Sequence, residues 1–267
     1  MTAANTKMEF ETLAVIRPAP FVIQLAFNRP AAMNAINTQT GRDLLAFLHA
    51  VKEEAVRAII LTGTGPRAFS AGGDLKERHG MSDAAWLAQH ALFEDVTFRL
   101  LECAVPVIAA VNGVAFGGGC ELALCCDFIY AAASARFALT ETRLGIMPGG
   151  GGTQNLPRAV GMRRAKELIF SATPFSAEQA ERWGMVNRVC PDETLLADTL
   201  ELAGRIAANA PLSVIQAKKS INAGAGTDLR TALLIEIEAY NRLVLSQDRH
   251  EGVRAFNEKR PADFKGV

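Results

Sequence analysis

The sequence has no excess of charge, no cysteine pair at metal or redox spacing, and no apolar run long enough to cross a membrane. Lysine and arginine total 28, as do aspartate and glutamate, so the formal net charge is zero. No global field therefore draws the chain to nucleic acid or to an anionic membrane surface, although a small basic site for an anionic ligand fits that balance. The five cysteines (Cys103, Cys120, Cys125, Cys126 and Cys190) are odd in number, sit mostly in apolar runs and form no CxxC or Cys/His pattern. Free, mostly buried thiols in a reducing compartment are expected. The opening "MTAANTKMEF" lacks the basic and apolar regions of a secretory signal. No apolar stretch approaches the ~20 residues of a membrane span. We expect a cytoplasmic protein with no membrane and no nucleic-acid partner.

Several chemical signatures are also missing. No glycine-rich stretch ends in Gly-Lys-Ser/Thr, and Leu122 stands where a third glycine would complete G-x-G-x-x-G after Gly117 and Gly119. This argues against a nucleoside triphosphatase and against a Rossmann dehydrogenase. Ser70 and Cys120 adjoin glycine turns, but no histidine relay or GxSxG accompanies them, which argues against acyl-enzyme chemistry. His49, His79, His90 and His250 are scattered without acidic or cysteine partners at ligand spacing, so we expect them on helix surfaces and expect no metal site. Asp74 and Asp127 read as turn braces, and "AKKS" (217–220) as a solvated helix face.

What remains is a globular chain of 267 residues, 49% hydrophobic and 21% charged, able to bury one large core. "TLAVI" (12–16) and "FVIQLAF" (21–27) read as a hairpin separated by "RPAP". An amphipathic helix follows around 38–55, with Leu44, Leu48, Val51 and Ala55 on one stripe. "AVRAIILTG", "VPVIAAVNG", "CDFIYAA" and "ARFAL" read as further strands. Strand–turn–helix repeated in this way predicts an α/β fold with largely parallel pairing. After about residue 190 the chain reads as helices only. In the one starting at Asp228, Leu229, Leu233, Ile237, Tyr240 and Val244 form a stripe, and Leu234 and Ile235 add apolar surface outside it. A surface helix needs only one apolar face, so this helix either meets another subunit or is buried within its own.

The stretches that point to chemistry are rich in glycine: "SAGGDLKER" (70–78), "GVAFGGGCEL" (113–122) and "GIMPGGGGTQ" (145–154). The middle one places Gly117–Gly119 at a strand-to-helix turn, where the first helical N–H groups have no intrahelical partner. Without side chains, such donors can be approached closely and favour a developing negative charge. The turn can form half of an oxyanion hole, or it can simply let helix and strand pack closely. Glu121 stands about one turn beyond Gly118 among apolar neighbours, where its pKa should rise toward the range useful for proton transfer. Glu141 precedes the next glycine turn. Two carboxylates beside two glycine turns, with the Gly73 N–H as a second donor, form a candidate catalytic constellation.

These words resemble the crotonase superfamily, specifically its enoyl-CoA hydratases: "FSAGGDLKER", "AVNGVAFGGGCELALCCD" and "ETRLGIMPGGGGTQNLPRAVG". The resemblance runs from "FNRPAAMNAIN" (27–37) to "EGVRAFNEKR" (251–260). It implies a spiral of ββα units over residues 1–195 that carries the active site, and a C-terminal helical oligomerisation region over 196–267. A homo-oligomer, a trimer or a dimer of trimers, is implied with it. Gly118 and Gly73 then hold the oxyanion N–H positions, and Glu121 and Glu141 the catalytic glutamates. Many relatives carry alanine where this chain has Gly73, a change that leaves the backbone donor intact. Gly149 corresponds to a residue lining the acyl pocket. Met33, Ala35, Leu75 and Lys76 lie where relatives hold the CoA moiety, and Phe256 and Lys259 resemble a pair that reaches a neighbouring subunit's CoA. The implied reaction adds water across the 2,3 double bond of a short-chain or branched 2-enoyl-CoA, with enoyl-CoA isomerisation or another CoA-thioester reaction on the same scaffold as the alternative. It needs no cofactor, coenzyme A being part of the substrate. "GGDLKER" and "DRHEGVRAFNEKRP" resemble 3-methylglutaconyl-CoA hydratases of leucine breakdown. That substrate has a second carboxylate, for which Arg78, Arg143 or a neighbour's side chain is the candidate cation. Some members of that group bind RNA through a lysine-studded helix. The counterpart here, "GRDLLAFLHAVKEEAVR", has one lysine and two arginines among acidic residues, so no electrostatic footprint for RNA is expected.

Overall fold

The computed structural model describes residues 9–267; residues 1–8, most of the stretch read for a targeting signal, lie outside them. β1 (Leu13–Ala19) and β2 (Val22–Phe27) form the expected antiparallel hairpin. "RPAP" does not separate the two strands: Arg17–Ala19 belong to β1, and the turn falls at Pro20 and Phe21. An edge strand tolerates proline because no ladder donor is missed, and β1 is the edge of its sheet.

In chain order the remaining strands are β3 (Ala58–Gly63), β4 (Ala68–Ser70), β5 (Val107–Val111), β6 (Val114–Phe116), β7 (Phe128–Ala132), β8 (Arg136–Ala138), β9 (Phe175–Ser176) and β10 (Arg188–Cys190). They lie in two sheets, a six-stranded one ordered β1-β2-β3-β5-β7-β10 and a four-stranded one ordered β4-β6-β8-β9. From β2 to β10 the large sheet is parallel. Its central strands β3 and β5 are buried along their whole length, which explains their unbroken apolar sequences. After each of β3, β5 and β7 the chain adds one strand to the small sheet and then turns into helical structure. This is the spiral of ββα units that the resemblance implies.

The first long helix runs over Thr38–Ala50, capped by the Asn37 side chain, with Leu44, Phe47 and Leu48 buried. It is shorter than expected: Val51–Glu53 tighten into a 3-10 turn and Ala55 is exposed beyond it. Helix Leu195–Ala207 packs on β3, β5 and β7. Helices Pro211–Gly224 and Leu229–Val244 pack on each other. Intradomain burial of the latter is excluded, because Leu229 is 75% and Tyr240 67% exposed. "AKKS" is not wholly solvated either. Lys218 reaches Asp127 at 2.7 Å and the Val105 carbonyl at 3.0 Å, while Asp127 also accepts from the Val107 N–H. The Asp127 carboxylate thus braces the start of β5 and not its own turn, and the lysine ties a C-terminal helix to it.

The glycine triplet sits where β6 turns into helix Gly118–Cys125. A Cβ on Gly119 would lie 2.3 Å from the Ser70 carbonyl oxygen and 2.8 Å from the Ser70 Cβ, so helix Gly118–Cys125 touches β4 directly. Close packing is thus one true reason for the triplet. Gly118 differs, since a Cβ there meets nothing nearer than 3.7 Å. Gly119→Ala should lower stability by about 3 kcal/mol or more, at or above the upper end of ordinary overpacking, whereas Gly118→Ala should fold normally. Thermal unfolding of both variants checks this, and equal melting temperatures would contradict the packing described.

Candidate active site

β6 ends at Phe116, Gly117 turns the chain with φ 50° and ψ −126°, and the helix begins at Gly118. As the first helical residue, Gly118 has an N–H with no intrahelical acceptor. The facing segment follows β4. There Ile36 donates to the Gly72 carbonyl at 2.8 Å, and Asp74 donates to the Ile36 carbonyl at 2.9 Å. In this bridge the amide between those two bonds, that of Gly73, is aimed away from Ile36. A Cβ on Gly118 would lie 3.9 Å from the Gly73 nitrogen. Two amides from different turns therefore meet on the wall of one cavity of about 410 Å³.

Glu121 lies on the same helix, one turn on, and is buried. Its Oε1 accepts from the Gly150 and Gly152 N–H groups, both at 2.8 Å. A Cβ on Gly152 would come within 2.9 Å of that oxygen, so glycine is what lets the backbone close on the carboxylate. Gly152 also opens helix Gly152–Val160, whose N-terminus favours a negative charge. Burial raises the Glu121 pKa, and the amides of Gly152 and Gly150, with the nearby His90, pull the other way.

Glu141 begins a 3-10 turn after β8 and is also buried. Its Oε2 has no hydrogen-bond partner. Burial first, and repulsion from Glu121 second, push its pKa up to about 7, against a lowering pull from Arg78. The two carboxylates thus differ in kind. Glu121 is held by donors that stabilise its charge, and Glu141 is poised to hold a proton near neutrality.

Leu75 and Gly149 border the same cavity as Gly73, Gly118 and the two glutamates. Met33, Ala35 and Lys76 do not. Met33 lines a separate small groove with Pro30 and Thr64, and Lys76 is exposed on the short helix Leu75–Arg78. Phe256 and Lys259 lie on and just after helix Gln247–Glu258, with Phe256 83% exposed and away from the cavity of its own chain. Of the four histidines, His49, His79 and His250 are exposed as expected. His90 is not a plain surface residue: its ring stands 2.7 Å from where a Gly149 Cβ would be, and it borders the cavity. Trp86, His90, Phe93 and Thr97 on helix Asp83–Leu101 all line that wall. Their spacing of four, three and four residues places them on one helix face, a signal present in the sequence. Ser70 is fully buried and its Oγ accepts from the Gly72 N–H. Burial raises the Cys120 pKa well above the ordinary thiol value. Neither is a poised nucleophile. The five cysteines are free and buried. Among the described residues no helix is long and apolar enough to cross a membrane.

A cavity bordered by two backbone amides and two unlike acids has the groups needed to stabilise an anion and to move a proton. The family model for enoyl-CoA hydratase/isomerase matches residues 19–267. A crotonyl-CoA hydratase of Syntrophomonas wolfei is 43% identical, over 96% of this chain and 99% of its own. The human mitochondrial methylglutaconyl-CoA hydratase is 40% identical over 92% of this chain and 74% of its own. A solved enoyl-CoA hydratase of Bacillus anthracis superposes with a TM-score of 0.95 at 41% identity, covering 96% of this chain and all of that one. The chain belongs to the enoyl-CoA hydratase/isomerase family, and it is a hydro-lyase.

Glu141 has a pH consequence for stability. Its folded pKa lies above its unfolded one, so the unfolded chain loses this proton first, and stability falls as pH rises from the ordinary glutamate range to about 7. Glu141→Gln removes that loss. Its melting temperature relative to wild type should therefore rise between about pH 5 and pH 8. A difference that is flat or falls over this window would contradict the burial described.

Proposed function

We propose that the protein adds water across the 2,3 double bond of a short-chain or branched 2-enoyl-CoA, with 3-methylglutaconyl-CoA among the candidate substrates. The observation that supports this most is the meeting of the Gly73 and Gly118 amides beside both glutamates in one cavity. The thioester oxygen would lie against the two amides. When water attacks the β-carbon, enolate charge grows on that oxygen, and one preorganised donor of this kind is typically worth ~2.7–4 kcal/mol. Glu121, ionised and held by Gly150 and Gly152, accepts the proton of the attacking water. Glu141 also holds that water and, protonated, delivers its own proton to the α-carbon. No electrons change hands, and the chain's own groups supply each proton transfer and the charge stabilisation. A double-bond shift needs only one acid–base group, so the presence of both at the cavity favours hydration.

Identity does not choose the acyl chain, since the crotonyl-CoA and methylglutaconyl-CoA hydratases are similar to this chain to nearly the same degree. Our reading includes a cytoplasmic homo-oligomer, a trimer or a dimer of trimers. It is supported by the free buried thiols and by the uncovered apolar stripe of helix Leu229–Val244. In such an assembly the exposed Phe256 and Lys259, with Met33, Ala35 and Lys76, would serve the CoA moiety.

Crotonyl-CoA should lose its conjugated-thioester absorbance when the enzyme is added. Glu121→Gln and Glu141→Gln should each slow that loss by ~10²-fold or more, and full activity in either variant would remove its assigned role. Hydration releases no net proton, so both directions must use the same singly protonated pair. The kcat/KM values for hydration and dehydration should therefore share one profile, falling above about pH 7 as the proton on Glu141 is lost. A profile without that fall would contradict Glu141 as the acid.

A further inference from the structure

Arg78 ends the short helix Leu75–Arg78 and borders the catalytic cavity. Its guanidinium is held from two sides. Nε donates to the Gln89 Oε1 at 2.8 Å, and the buried Gln89 is fixed in turn by donating to the Thr38 hydroxyl and to Glu77. The guanidinium carbon sits 4.5 Å from the centre of the Trp86 ring and 5.9 Å from that of Phe93. Arginine loses considerable side-chain freedom when fixed in this way. The fixed head is nonetheless only half satisfied. Among the described residues neither terminal nitrogen has a protein acceptor, and no carboxylate lies within ion-pair distance of it. One of those nitrogens comes within 3.1 Å of where a Gly73 Cβ would be, so the open fork lies beside the amide turn.

Much of the surrounding wall is apolar, with Ile36, Leu44, Phe93, Val96 and Leu122 bordering the same space. Burial pulls the Arg78 pKa below the ordinary arginine value, and the charges of Glu77 and Glu141 offset that only in part. A cation held half out of water without a counter-ion is costly, and a planar fork with two free N–H groups matches a carboxylate two-pronged. Arg143, the other candidate for this role, is exposed, reaches the Ser171 carbonyl at 3.5 Å and does not border the cavity.

We infer that Arg78 is a specificity-determining residue that takes a second carboxylate at the far end of the acyl chain, so that the preferred substrates are CoA monothioesters of unsaturated dicarboxylic acids. The inference rests on the site being an acyl-CoA site, as proposed above, but not on hydration itself. Glu121 and Glu141 keep their roles whatever the acyl chain ends in.

The test uses two unreactive ligands that differ only in that carboxylate, butyryl-CoA and glutaryl-CoA, titrated calorimetrically into the intact protein. Arg78→Met should weaken glutaryl-CoA by at least about 30-fold, as expected when one partner of a partly buried charge pair is truncated, and should change butyryl-CoA by less than about threefold. Arg78→Lys, which keeps the charge but loses the fork, should fall between wild type and Arg78→Met for glutaryl-CoA. Equal weakening of both ligands would mean that Arg78 serves the CoA phosphates common to them, and no change in either would mean that it serves the fold. Both results overturn the inference. Hydration of crotonyl-CoA and of glutaconyl-CoA by the same preparation reports separately on the hydratase reading. Absence of turnover with both, the ligand selectivity being intact, would sink the reaction and leave the assignment of Arg78 standing.

Discussion

The site depends on how closely helix Gly118–Cys125 approaches β4. With no side chain at Gly119, the helix backbone rests on the Ser70 carbonyl. That approach brings the first N–H of the helix to the turn holding Gly72 and Gly73, so a packing constraint becomes an electrostatic device. The three consecutive glycines answer to three different demands. Gly117 supplies a backbone turn with positive φ, Gly118 leaves a donor open to the cavity, and Gly119 makes the contact that fixes the other two. Close packing and the anion stabilisation proposed for this turn, which compete as explanations of the sequence alone, are compatible with one geometry.

The second device is the unequal treatment of two buried acids. Each is desolvated, but Glu121 accepts two 2.8 Å hydrogen bonds from amides of a turn whose own glycines allow the approach. Glu141 is left with an unpartnered oxygen and a charged neighbour. The chain thereby carries a destabilising group above neutral pH, a cost that is intelligible if the proton it retains is used in the reaction. A fold optimised for stability alone would have paired that oxygen.

Much of this was legible in the sequence because it is local. The glycine turns, the glutamate one helical turn beyond Gly118, the buried strands and the turn-bracing Asp74 each follow from residues a few positions apart. What was not legible depends on partners far along the chain. His90 reads as a surface histidine until residue 149 is brought against it, and Lys218 reads as solvated until Asp127 arrives from the large sheet. Ala55 falls outside its helix because the chain must turn into β3, a demand that apolar periodicity does not record. Arg78 is a mixed case. The family resemblance offers it beside Arg143 as a candidate cation, and only the fold puts a tryptophan, a buried glutamine and an apolar cavity around Arg78 while leaving Arg143 exposed.

The central claim is geometric, and a crystal structure with 3-hydroxybutyryl-CoA bound tests it most directly. The account predicts the thioester oxygen at about 3 Å from both the Gly73 and the Gly118 nitrogens, with the 3-hydroxyl group between the carboxylates of Glu121 and Glu141. A thioester carbonyl directed away from either amide, or a hydroxyl group outside the reach of both glutamates, would contradict it.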